Sequence, residues 1–166
     1  MSVLETARLR AEPISRAHLD DMVRLLSDPR VAATLGGVPT RARVAAMIDA
    51  QAAQFERYGF GLCAWRDRAT GEVIARGGIQ HTHVGGADEV EAGWAVAADR
   101  WGEGLATEMS REAVRVAFDV VGLDDLVAFT LVDNVASRRV MERLGMVYER
   151  DLEHAGLPHV LYRLSR

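Results

Sequence analysis

The chain has 166 residues, 49% of them apolar and 27% charged, with a net charge of −4 and a single cysteine, Cys63. That profile describes one globular domain, residues 1–166, large enough to bury its own core. It excludes an internal disulfide, argues against nonspecific nucleic-acid binding, and leaves no apolar run near the ~20 residues that span a bilayer. Met1–Arg10 also lacks a signal-peptide core, so a reducing cytoplasm is the expected compartment and Cys63 an inert buried thiol. Leu4–Pro13 reads as a first strand. Ser15 is placed to cap a helix running through Ser27, with Leu19, Met22, Val23 and Leu26 at helical spacing and Asp28-Pro29 as its stop. After the loop Gly36–Pro39, Thr40 caps a second helix, Arg41–Tyr58.

Gly61–Arg66 and Val73–Gly78 read as a hairpin around Asp67–Gly71, followed by a polar loop, His81–Asp88. Glu89–Val96 alternates: Val90, Ala92, Trp94 and Val96 share one face, and Glu89, Glu91, Gly93 and Ala95 the other. Gly93 marks either a bulge or a close approach by ligand. The helix Leu105–Val121 carries Ala106, Met109, Ala113, Val116, Ala117 and Val120 as a core stripe and stops at Gly122. Leu126–Leu131 is a strand buried on both faces. A helix from Asp133 or Asn134 to Leu144 precedes two last strands, Met146–Leu152 and Val160–Leu164.

The chain is organised around Asp99-Arg100-Trp101-Gly102-Glu103-Gly104-Leu105-Ala106-Thr107-Glu108, the junction between the strand Glu89–Val96 and the helix after it. Glycines at such a junction permit positive φ and close approach, and a helix N-terminus offers unpaired N–H groups and partial positive charge. An anion site, most naturally for phosphate, follows from that combination; a tight turn without a ligand is the plain alternative. A P-loop is ruled out by the missing Gly-Lys-Ser/Thr, and a dinucleotide fingerprint by Thr107 where its third glycine belongs.

The stretch resembles motif A of the GNAT superfamily, the N-acetyltransferases that use acetyl-CoA. Gly102 and Gly104 match its glycines, while Asp99 stands where Gln or Arg is usual. The string Arg100–Glu108, with the opening Thr6-Ala7-Arg8-Leu9-Arg10, is similar to the Rim-type branch, which acetylates ribosomal-protein N-termini and other amines. A second segment, Asn134-Val135-Ala136-Ser137 through Glu142-Arg143-Leu144-Gly145-Met146, resembles the family's Asn-x-x-Ser…Glu-Lys/Arg-Leu-Gly-Phe. The resemblance implies a mixed, mostly antiparallel α/β sheet of about six or seven strands, with helices on both faces. At its centre Glu89–Val96 and Leu126–Leu131 run parallel and splay, because the helix between them is a crossover.

The same resemblance implies acetyl-CoA as co-substrate, no metal, and a set of contacts. Arg100, Trp101, Gly102, Glu103, Gly104, Leu105, Ala106 and Thr107 surround the CoA pyrophosphate. Trp94, Ala95 and Val96 supply pantetheine and oxyanion contacts, and Asn134 and Ser137 approach from the far side. Glu91 is the candidate general base with Glu89 its runner-up; a solvated strand carboxylate is the plain alternative for each. Ser137 is the candidate acid or sulfur-side hydroxyl, because Met141 occupies the place of the family's helix tyrosine; helix capping is the bland role of Asn134. Trp101 is expected to pack, His81 and His83 to be surface histidines rather than ligands, and Arg138-Arg139 to be a solvated pair or a 3′-phosphate contact. Two functional classes stay open. One is an N-acetyltransferase acting on a protein N-terminus or on a small amine such as a polyamine, amino acid or aminoglycoside. The other is a non-catalytic acyl-CoA-binding or protein-interaction module. Either works as monomer or homodimer, away from membranes.

Overall fold

The computed structural model describes residues 4–166. The segment expected as one first strand is a tight hairpin instead, β1 (Leu4–Glu5) and β2 (Leu9–Pro13), turning where the Thr6 amide donates to Leu9 O. A 3-10 turn at Arg16–His18 leads into α1 (Leu19–Ser27). Asp28-Pro29 ends α1 as the sequence suggests but also starts α2 (Pro29–Ala33): the Asp28 carboxylate caps the Arg30 amide, and proline suits a first helical position. Helix α3 (Arg41–Tyr58) has the expected bounds, capped by Thr40 and closed by Gly59 at φ 77°.

Strands β3 (Leu62–Asp67), β4 (Val73–Val84) and β5 (Ala87–Val96) form an antiparallel meander. Here the expected polar loop His81–Asp88 is corrected. His81, Thr82 and His83 continue β4 opposite Val90, Glu89 and Asp88, and only Gly85-Gly86 turn, both at positive φ. Polar side chains pair across the ladder, as His83 Nδ1 does with the Asp88 carboxylate at 2.8 Å, so the strand persists without apolar alternation. The crossover α4 (Leu105–Arg115) passes into a π-helical segment, Val116–Val121, that stops at Gly122. Strand β6 (Asp125–Leu131), helix α5 (Val135–Arg143) and the hairpin β7 (Val147–His154) and β8 (Leu157–Ser165) complete the chain. The π segment turns the helix's phase: Val121 and Phe118 pack on the core, while Val120, expected inside, is 64% exposed.

The eight strands among the described residues join one sheet in the order β1-β2-β3-β4-β5-β6-β8-β7. Every neighbouring pair is antiparallel except β5 and β6, which are parallel and meet only at Glu91 opposite Val127. Helices lie on both faces. Ala64, Val73 and Ala95 pack with Met22, Leu25, Val31, Val44 and Ile48 of α1–α3. Cys63, Trp65, Ala75 and Val96 pack with Leu105 and Met109 of α4. Gly77 sets how closely α4 approaches, since a Cβ there would stand 2.3 Å from Met109 Cε and 2.8 Å from Gly93 O. The helix N-terminus is thereby held at the open end of the β5–β6 split.

Candidate active site

The loop after β5 is built from glycine geometry and a ring of ion pairs. Gly102 and Gly104 have φ of 83° and 80°, a region that costs other residues about 1–2 kcal/mol. Among the described residues, the amides from Gly102 to Thr107 donate to no protein acceptor, and no side chain caps α4. Thr107 Oγ1 is also buried without a partner. A run of free N–H groups at a helix N-terminus, with an orphaned hydroxyl beside it, fits a bound diphosphate, the group a CoA ligand brings.

The surrounding side chains hold this loop rather than reach across it. Arg100 donates to Asp67 at 2.8 Å and to Glu103 at 2.7 Å, so both the Arg100 and the Glu103 side chains are engaged within the loop's base. That guanidinium keeps the Asp67 and Glu103 carboxyls below their ordinary values. Asp99 pairs with Arg30 at 2.9 Å. Glu108, in the first turn of α4, accepts from Thr6 Oγ1 at 2.6 Å, the Arg8 amide at 2.9 Å and Arg8 Nε at 2.8 Å. Arg8 Nη1 continues to Glu103 O at 2.9 Å, stapling the N-terminal hairpin to the loop. Trp101, expected as a packing residue, is half exposed and lines the cleft, its indole N–H donating to Val96 O at 2.8 Å.

A cleft of about 680 Å³ runs from this loop into the β5–β6 split. Trp94, Ala95, Val96, Arg100, Trp101, Gly102, Gly104, Leu105, Ala106 and Thr107 line one wall, and Asn134 and Ser137 the other. Glu103 is the one cofactor-side candidate whose side chain is absent from the lining. Asn134 caps α5 by accepting from the Ser137 amide at 3.3 Å, while its own amide donates to Thr130 Oγ1 at 2.9 Å and Ser137 Oγ at 3.0 Å. Ser137 therefore receives a hydrogen bond and keeps its own proton available. Of the arginine pair, Arg138 is engaged with Tyr162 Oη and Val132 O, whereas Arg139 lines the cleft with Arg143.

A second pocket of about 280 Å³ adjoins the first and shares Thr34, Trp94, Asn134 and Ser137 with it. Glu91 stands in this pocket and accepts from Gln80 Nε2 at 3.0 Å; Gln80 in turn accepts from Gln51 Nε2 at 2.6 Å. Burial holds the Glu91 carboxyl above its ordinary value, against the lowering pull of the Gln80 hydrogen bond and the Arg76 charge. A carboxylate so raised is a stronger base. Glu89, the alternative base, lines neither pocket and is held by Arg163 at 2.7 Å. Gly93 keeps β5 in register with no bulge and forms bare floor beside Glu91, whose Oε1 would stand 3.3 Å from a Cβ there. Met141 is buried and reaches the same pocket. Of the candidate metal ligands, His81 packs against Tyr58 in a tilted arrangement with centroids 3.8 Å apart and His83 faces Asp88; no metal-holding group of three His, Cys, Asp or Glu occurs among the described residues. Sequence reasoning missed Arg76, Gln80, Thr34, His154 and His159 in this pocket. Arg76 left one trace, a charge inside the otherwise apolar run Val73–Ile79.

The sequence matches the family description "Acetyltransferase (GNAT) domain" over residues 8–147. The chain belongs to the GNAT acetyltransferase family. It is 29% identical over 152 residues to the FsC-acetyl coenzyme A-N(2)-transacetylase of Aspergillus fumigatus, an alignment covering 87% of this chain and 65% of that protein, so the chain spans just under two thirds of that relative. Among solved structures, a Bordetella pertussis protein described as a GnaT-family acetyltransferase superposes with a TM-score of 0.87 at 28% identity, covering 98% of this chain and 99% of that one. The Rim-type enzyme RimL, a ribosomal L7/L12 α-N-protein acetyltransferase in complex with coenzyme A, shares the fold with a TM-score of 0.77 at 14% identity over 99% and 98% of the two chains. No helix among the described residues is long and apolar enough to cross a membrane.

Proposed function

We propose that the chain moves an acetyl group from acetyl-CoA to a primary amine, a protein N-terminus or a small molecule, by direct attack in a ternary complex. The observation that carries this is the joining of the two pockets at Ser137 and Trp94, with free loop amides at one end and a carboxylate of raised pKa at the other. Acetyl-CoA supplies the acetyl carbon as a thioester. Gly102–Thr107 hold the diphosphate through backbone N–H groups, with Trp94–Val96 and Asn134 along the remainder. Glu91 takes a proton from the ammonium, and the freed nitrogen lone pair forms the N–C bond. The C–S bond breaks, its electron pair leaves with sulfur, which takes the nitrogen's second proton, and the Ser137 hydroxyl donates a hydrogen bond on that side. Ammonium and thioester thus become amide, thiol and one released proton.

A reducing cytoplasm suits the chain, since burial pushes the Cys63 thiol up to about 12 and keeps it protonated. The test is thiol release from acetyl-CoA against a panel of amines, with the acetylated product read by mass spectrometry. Amine-dependent release supports the reading. A melting temperature that rises with CoA, without turnover on any amine, favours the acyl-CoA-binding module instead.

A further inference from the structure

Arg76 is out of keeping with every other arginine that the fold withdraws from solvent. Arg66, Arg100, Arg138, Arg150 and Arg163 each donate to a named oxygen; Arg76, half-buried, donates to none among the described residues, and its Nε is enclosed without a partner, as the Nε of Arg150 is, but Arg150 still reaches Gly85 O through another nitrogen. The β4–β5 register explains where it points. Arg76 faces Ala95, Gly78 faces Gly93, and Gln80 faces Glu91, so all six lie on one face of the ladder. The middle rung carries no side chain. It leaves a bare floor with a guanidinium at one end and a carboxylate at the other, and both groups line the same pocket of about 280 Å³. The two do not form an ion pair within 4.0 Å. Burial also holds the guanidinium below its ordinary value, only partly offset by the Glu91 charge across the floor.

From this arrangement we infer that the acceptor is a free amino acid, a small amine carrying its own carboxylate, with Arg76 as the specificity-determining residue. The inference rests on the reading of Glu91 as the base and of this pocket as the acceptor's. The Arg76 guanidinium receives the carboxylate through its fork of donors, which matches a carboxylate's two oxygens. Glu91 faces the ammonium at the other end. The pocket's size, at the small end of ligand cavities, admits one such molecule better than a polypeptide terminus. A peptide N-terminus brings an amide carbonyl where Arg76 waits for a charge, and leaves the guanidinium unpaired.

The experiment compares standard L-amino acids, ω-amino acids, the primary carboxamides of both, and C-terminally amidated peptides, each with acetyl-CoA. The readout is the ratio of kcat/KM for each acid to that for its carboxamide. A ratio on the order of 10- to 100-fold is expected for a charge-assisted contact. It should collapse towards unity in Arg76→Gln and recover in part in Arg76→Lys, which keeps charge but not the fork. Equal use of acids and carboxamides by the wild type overturns the inference, as does a ratio that survives Arg76→Gln, or a preference for the amidated peptides. Should no amine turn over, the acetyl-transfer reading fails separately. Calorimetric titration of the CoA-loaded protein with L-leucine and L-leucinamide then decides: tighter binding of the acid that Arg76→Gln removes supports the inference, and equal or absent binding overturns it.

Discussion

The two ends of the cleft treat charge in opposite ways. At the loop, Arg8 and Arg100 are saturated by Glu108, Asp67 and Glu103, and what the loop itself leaves free is backbone and the Thr107 hydroxyl. In the second pocket, Arg76 is unpaired among the described residues and Glu91 is held by a single amide, with its carboxyl raised by burial. On the proposed reading, the difference follows from what each end would handle. A phosphate is bound by many weak donors, whose positions must be fixed in advance by rigid side-chain ties. A proton acceptor works through an unmet need, so its neighbourhood carries the cost of incomplete pairing.

Replacing Glu91 should break the comparison most severely. Glu91→Gln keeps shape and the Gln80 contact while removing basicity, so turnover should fall by roughly 10²–10⁴. The deficit should shrink as pH approaches the acceptor's own pKa, and be larger for a lysine-like amine near 10.4 than for an α-amine near 8, both approximate reference values. A pH–rate profile with two such amines measures it; an unchanged rate across about pH 6 to 9 removes Glu91 from the chemistry.

Gly104→Val attacks the other end. Valine is strained at φ 80° and crowds the amides, so the melting-point rise given by CoA should vanish. In the wild type that rise corresponds to about 2.7 kcal/mol at a hundredfold excess over Kd. A folded variant that still responds fully to CoA shows the diphosphate to lie elsewhere.

Glu108→Ala sharpens the contrast, because it removes a tie at a residue that lines neither pocket. Thr6 and Arg8 lose their shared acceptor, which should cost about 1–3 kcal/mol and lower Tm by roughly 2–10 °C. CoA affinity should weaken several-fold while the pH–rate profile keeps its shape. A changed profile would mean that loop and pocket are coupled.

The smallest effect is on stability. A carboxyl whose folded pKa is raised binds its proton more tightly in the native state than in the unfolded one. The native state therefore loses relative stability as pH climbs above the ordinary carboxyl value of 4.5 towards the folded value. Glu91→Gln should melt slightly higher than the wild type at neutral pH and equal it below about pH 4, where both forms are uncharged. Asp67 and Glu108, held low by Arg100 and by Thr6 and Arg8, run the other way: their contribution is present at neutral pH and fades as acid protonates them. Acid melting curves of the two variants should therefore diverge from wild type with opposite slopes.

What the sequence makes legible is local. Thr40 and Gly59 bound α3 because both caps act within one turn, and the loop and Asn134–Gly145 stand out because their chemistry is contiguous. The length of β4 escapes because His81-Thr82-His83 carries no apolar alternation and is a strand only through its partner. Pro29 marks the end of α1 as read but serves equally as a first helical residue, which hid α2, and a π segment leaves no periodic signature before Val120. The sequence reading falls one strand short of eight because it takes β1 and β2 as one, whereas Thr6 turns the chain through a contact with Leu9. Arg76 becomes meaningful only when Glu91, fifteen positions along the chain, is brought onto its face.

The single rung between β5 and β6 has a consequence for self-association. Past Glu91 and Val127 the facing borders of these two strands carry backbone groups with no ladder, the kind of border that recruits foreign strands and seeds fibrils. Here those borders face one another across the middle of the sheet rather than outward from its rim. Because they diverge, an intruding extended chain can zip onto one of them but not bridge both. The split that opens the cleft is thus also a poor template for a growing stack.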